Sequence, residues 1–151
     1  MVEQVDYEIP CLPPPCLSIV KFLIVDDSPD NRYLVSRTLL RKFPAAAAAV
    51  ECQTFAAAAK LLNSTAVDLI IAHRTPEFRG VALIQQLRTL CPTVPIIALS
   101  SMNQREAALA AGADRFYLTD EWLLIGAAAV ELLAPETVRQ DRVEPADQPS
   151  T

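Results

Sequence analysis

The chain has 151 residues, 52% of them hydrophobic, with 13 basic against 18 acidic residues and a formal net charge of −5. That length suits one domain with a full core, and that apolar content excludes a disordered chain. The acidic balance argues against nucleic acid as the main partner, and no apolar run is long enough to span a bilayer.

The first residues, Met1-Val2-Glu3-Gln4-Val5-Asp6, lack the basic start of a signal peptide, so a cytoplasmic location is expected. Residues 1–20 contain Pro10, Pro13, Pro14 and Pro15 and read as an extended arm. Cys11 and Cys16 flank that proline run, but two ligands do not close a zinc site. Cys52 and Cys91 lie in apolar segments and read as buried thiols in a reducing compartment.

The folded domain is expected over residues 21–134. Phe22-Leu23-Ile24-Val25 is a buried strand with Asp26 and Asp27 directly at its carboxyl end. Ser28-Pro29 gives an N-cap and a proline at the first helical position, and the apolar stripe of Leu34, Val35 and Leu39 carries a helix to about Phe43. Past Pro44, the alanine run is read as a loop entering a short strand over residues 48–52, because Thr54 can cap a second helix through Leu62. The run Val67-Asp68-Leu69-Ile70-Ile71 is the central strand, breaking into the polar turn that holds His73, Arg74 and Pro76.

After Gly80, the residues Val81, Ile84, Leu87 and Leu90 recur at helical spacing. A fourth strand over residues 96–100 ends in Ser100. Asn103 is expected to cap a helix that stops at Gly112, and residues 115–118 form a fifth strand. The last helix is expected to begin at Thr119-Asp120-Glu121, with Asp120 as its cap, and to run to Leu133. The polar residues 135–151 read as a disordered tail. Five strands alternating with five helices make an α/β parallel sheet covered on both faces.

In such a sheet the chemistry sits at the carboxyl ends of the strands. Asp26, Asp27, the His73 turn and Ser100 meet there. Two carboxylates can hold a hard divalent cation, here a weak magnesium site, and a hydroxyl can donate to an anion. His73, the only histidine, stands there as an internal counter-ion beside the acid pair.

These residues resemble the receiver domain of bacterial two-component response regulators. The resemblance rests on Phe22-Leu23-Ile24-Val25-Asp26-Asp27-Ser28, Asp68-Leu69-Ile70-Ile71, Pro76 to Gly80, Pro95 to Ser100, and Glu106-Ala107-Ala108-Leu109-Ala110-Ala111-Gly112-Ala113-Asp114. It implies a flavodoxin-like, doubly wound five-stranded sheet of order 2-1-3-4-5 and a phosphorylation-regulated switch. It also implies an acceptor aspartate at the end of the third strand. Counting from Asp68 lands on His73, and counting back from Pro76 lands on Ala72. The family's lysine position falls on Thr119 or Asp120, its switch hydroxyl on Ser100, and its switch aromatic on Phe116 or Tyr117.

The expected function is therefore a single-domain pseudo-receiver in phosphorelay signalling that works by protein contact, without enzymatic turnover. Its partners would be a histidine kinase, a phosphotransfer or effector protein, or a second copy, met through the face of residues 103–133. One alternative keeps phosphorylation at a non-standard acceptor. The other, a flavodoxin-like cofactor enzyme, is disfavoured because Gly80, Gly112 and Gly126 are the chain's only glycines and form no phosphate-binding loop.

Overall fold

A computed structural model describes residues 19–43 and 47–133. The proline-rich arm and the polar tail, with Cys11 and Cys16, lie outside the described residues.

The strands are β1 (Val20–Val25), β2 (Ala47–Cys52), β3 (Leu69–Ala72), β4 (Ile96–Ser100) and β5 (Arg115–Leu118). They form one parallel five-stranded sheet in the order β2-β1-β3-β4-β5. The helices are α1 (Pro29–Lys42), α2 (Phe55–Ser64), α3 (Val81–Leu90), α4 (Arg105–Ala111) and α5 (Ile125–Leu132).

Strand alternation divides the core in two. Leu23, Val25, Ile70, Ala72, Ile96 and Ala98 face α2, α3 and α4, where Ala58, Leu83, Leu87 and Ala108 meet them. Phe22, Ile24, Leu69, Ile71, Ile97 and Leu99 face α1 and α5, against Val35, Leu39, Ile125 and Ala129. Both faces of the three central strands are therefore apolar, which is why they read as continuous hydrophobic runs. Each fully buried Leu, Ile or Phe among them contributes about 2 kcal/mol relative to an exposed position.

Local signals set most boundaries. The Ser28 hydroxyl accepts from the Asn31 amide at 3.3 Å, and that of Thr54 accepts from the Ala57 amide at 3.1 Å. Gly112 ends α4 with φ +121°, a conformation L side chains avoid.

Two expectations are corrected. The segment after β5 is not one helix: Thr119–Leu124 forms a 3-10 turn, kinked at Glu121, and α5 begins only at Ile125. Asp120 is exposed and does not cap it. The Glu121 carboxylate instead folds back to accept the Leu118 amide at 2.9 Å, and this back-bond holds the tight turn. At α4, Asn103 lies one residue before the N-cap position, held by Gln104, and accepts only the Arg105 amide, at 3.3 Å. That helix is correspondingly short.

Candidate functional site

The β1–β3 register places Val25 beside Ala72, so the next residues, Asp26 and His73, leave the sheet side by side. The ladder continues past the strands, with the His73 amide donating to the Val25 carbonyl at 2.9 Å and the Asp27 amide to that of Arg74 at 3.0 Å. Alternation puts Asp26 and His73 on the face of Ile24 and Ile71, towards α1.

Asp26 is 2% exposed and His73 7% exposed. A carboxylate buried this far needs a donor on each oxygen. Oδ1 of Asp26 accepts the Ser28 amide at 3.0 Å, and Oδ2 lies 3.0 Å from Nδ1 of His73. The Nδ1 proton therefore points at Asp26. The Asn31 amide nitrogen, 3.4 Å from the same Nδ1, is longer and would set donor against donor, so the Asp26 contact governs the tautomer. Arg32 adds a hydrogen bond to the Asp26 carbonyl at 2.7 Å. Asp27 is more open and pairs with Arg74, Nε to Oδ1 at 3.1 Å.

The acid pair is thus engaged from within the chain. A hard divalent cation takes six or more oxygen ligands. Here both oxygens of Asp26 and one of Asp27 are in use, and among the described residues no group of three His, Cys, Asp or Glu side chains is placed to hold a metal. A magnesium ion at Asp26 and Asp27 would have to compete with these internal contacts.

The other expected site residues separate. Ala72 is buried in the core and offers no functional group. Ser100 ends β4, where its hydroxyl accepts the Met102 amide at 3.1 Å. Phe116 is buried on the Ser100 side, beneath the Arg105 guanidinium at 5.5 Å, whereas Tyr117 packs on the opposite face. Phe116 is therefore the aromatic that stands with Ser100. Thr119 and Asp120 do not reach the pocket, which His73, Arg74, Arg79, Ser100, Ser101 and Gln104 line with a volume of about 350 Å³.

Sequence reasoning missed the arginines. Residues 74–79 fold into a tight turn in which the Thr75 amide donates to the Phe78 carbonyl and the Phe78 amide to the Thr75 hydroxyl. Arg74 and Arg79 are thereby set opposite each other in an antiparallel bridge. Pro76, at the second position of a turn flanked by two arginines, was the readable signal. The turn is tied to α2: both Glu77 carboxylate oxygens accept first-turn amides, from Phe55 at 2.9 Å and Ala56 at 3.2 Å. Those amides, Phe55 first, hold the Glu77 carboxyl below its ordinary range. Phe78 meets Phe55 edge to face with ring centroids 5.0 Å apart.

Comparison with known proteins agrees with this architecture. The response regulator receiver domain family matches residues 22–119. The DNA-binding transcriptional regulator NtrC of Escherichia coli (strain K12) is 29% identical over 92 residues, covering 58% of this chain and 18% of that regulator. The match therefore spans less than a fifth of that relative's length. Among solved structures, the signal receiver domain of a histidine kinase from Syntrophus aciditrophicus superposes with TM-score 0.65 at 25% identity, over 76% of this chain and 90% of that one. The receiver domain of the putative response regulator NarL from Mycobacterium tuberculosis gives 0.63 at 24% identity, covering 76% and 95%. The chemotaxis response regulator CheY4 of Vibrio cholerae gives 0.60 at 24%, covering 75% and 99%. With the sheet order, the acid pair and this match over residues 22–119 together, the chain belongs to the response regulator receiver domain family.

Proposed function

We propose that this receiver is a pseudo-receiver: it signals through protein contacts without taking a phosphoryl group on an aspartate. The observation that supports this most is the 3.0 Å contact between His73 and Asp26. An imidazole occupies the place beside the acid pair where an acceptor carboxylate would have to stand. Arg74 engages the second acid, and neither Thr119 nor Asp120 supplies a lysine's charge. Without a covalent ligand that distinguishes two states, the signalling face stays in one arrangement.

That face is formed by α4, β5 and α5. With the turn between β5 and α5, it exposes Leu109, Leu123, Leu124 and Val130, apolar side chains suited to a kinase, a phosphotransfer or effector protein, or a second copy. The reading assigns the chain no catalytic turnover. No helix among the described residues is long and apolar enough to cross a membrane. The free thiols of Cys52 and Cys91, both pushed up in pKa by burial, suit a reducing cytoplasm.

Incubation with acetyl phosphate and magnesium, followed by intact-mass measurement, tests the proposal. An unchanged mass is expected. A stoichiometric, hydroxylamine-sensitive adduct would overturn it.

A further inference from the structure

We propose that the outer edge of β2 is a strand-addition site, and that the chain's own residues 5–9 fill it as an added antiparallel strand. This contact does not depend on whether the receiver takes a phosphoryl group.

Three observations carry it. The first is the edge itself. β2 pairs with β1 from Ala47 to Cys52 and ends the sheet on that side. Among the described residues, nothing bonds the amides and carbonyls of residues 47–51 that point away from β1. Such a row is a template for another strand, and edges are usually blunted by short length, a lysine, a proline or a bulge. The opposite edge strand, β5, has only 4 residues and carries Arg115, which pairs with Glu131. β2 is longer, at 6 residues, and is built of alanines, Val50, Cys52 and one charged residue, Glu51. Arg32 of α1 engages that charge at 3.2 Å, so nothing on β2 repels an incoming strand.

The second is a pattern in the sequence ahead of β1. Val5, Tyr7 and Ile9 alternate with Asp6 and Glu8, the period of a strand with one apolar face. Pro10 ends that run, because it has no amide to give to a ladder. Five extended residues cover about 17 Å, against about 20 Å for β2.

The third is reach and facing. β1 starts at Val20, directly beside Ala47. A strand outside β2 lies two spacings from β1, about 10 Å away. Residues 10–18, rich in proline, can reach about 28 Å as polyproline, enough to close that gap when the added strand is antiparallel and ends beside Ala47. A parallel strand would need a crossover of about a dozen residues or more, over a face that helices already cover. Ala47 and Ala49 lie in the α1 layer with Phe43, and Glu51 reaches Arg32 on the same side. Val5, Tyr7 and Ile9 extend that apolar row, which turns Asp6 and Glu8 to the other face, away from Glu51.

NMR on the full chain, at a high and a low concentration, tests the site, with sedimentation velocity on the same samples. NOEs are expected between residues 5–9 and 47–51. Amide exchange in residues 5–9 should be slowed at least about tenfold relative to an unstructured chain, as in a locally closed strand. Tyr7→Pro removes one amide from the added strand and should abolish both signals while leaving the resonances of β3 and β4 in place. Glu3→Pro, ahead of the alternating run, should change neither signal. Missing NOEs, unslowed exchange, or a Tyr7→Pro chain that behaves as wild type would overturn the site. Protection that holds on dilution in a monomer supports the chain's own segment as the occupant. Protection that fades as a dimer dissociates would overturn that occupant and assign the edge to a second copy.

Discussion

His73 leaves the end of β3 directly beside the buried Asp26. Its Nδ1–H satisfies one oxygen of a carboxylate that is 2% exposed. Removing one member of a buried pair leaves the other uncompensated, at a cost of about 3 kcal/mol. His73→Leu should lose about that much stability in urea unfolding. A double-mutant cycle with Asp26→Ala should return a coupling of about 1–3 kcal/mol, and simple additivity would show the contact to be idle. His73→Asp is a different change, because it sets a third carboxylate beside Asp26 and Asp27 and so completes an oxygen set for a hard cation. Magnesium should raise the Tm of that variant and leave the wild-type Tm where it is. Equal responses of the two proteins would mean that the His73 contact does not keep the cation out.

Two side-chain ties lock loops at opposite edges of the sheet. The 74–79 turn is held to the start of α2 by Glu77, whose carboxylate accepts two amides. Because those bonds lower its folded pKa, the stabilisation is full above the ordinary glutamate value of about 4.3 and is lost as pH falls through the lower folded value. The stability gap between wild type and Glu77→Gln should therefore be open at neutral pH and close in acid, read from urea midpoints across pH. A gap that does not vary with pH would remove the ionic part of this account. On the far side, Arg88 of α3 donates to the carbonyls of Cys91, Pro92, Val94 and Gly112 and pairs with Asp114. It thereby ties the end of α3 to the end of α4. Arg88→Met keeps the stem and loses the fork, and should cost about 3 kcal/mol in denaturant unfolding. Arg88→Lys should recover only part of it, since an ammonium cannot reach all these carbonyls at once.

At the scale of the whole molecule, the two layers of the core serve different ends of the sheet. The α1–α5 layer carries Asp26 and His73 at its rim, while the α2–α4 layer carries Phe116 and, through α4, the exposed Leu109. Arg105 joins these two regions, with its guanidinium over the Phe116 ring and its helix on the surface. Charge reversals at Arg105 and Glu131 should change self-association in sedimentation velocity, or kinase capture, more than reversals at Arg37 and Arg41. The opposite ranking would move the interface to α1.

The strands and most helices were legible in the residues themselves. Continuous β-branched runs marked strands buried on both faces, and Ser28, Thr54 and Gly112 marked helix ends, because burial period and capping are local properties. The sheet order came through family resemblance, and the solved receivers share it. Where the residues pointed two ways, the tertiary structure decided. Counting along the chain could not choose between Ala72 and His73; the pairing of Val25 with Ala72 buries the first and turns the second onto Asp26. Nor could it choose between Phe116 and Tyr117, which differ only in the face they take. The Glu77 tie to α2 was equally out of reach. Each depends on which distant backbone lies alongside, and strand register and loop closure set that rather than anything within a few residues.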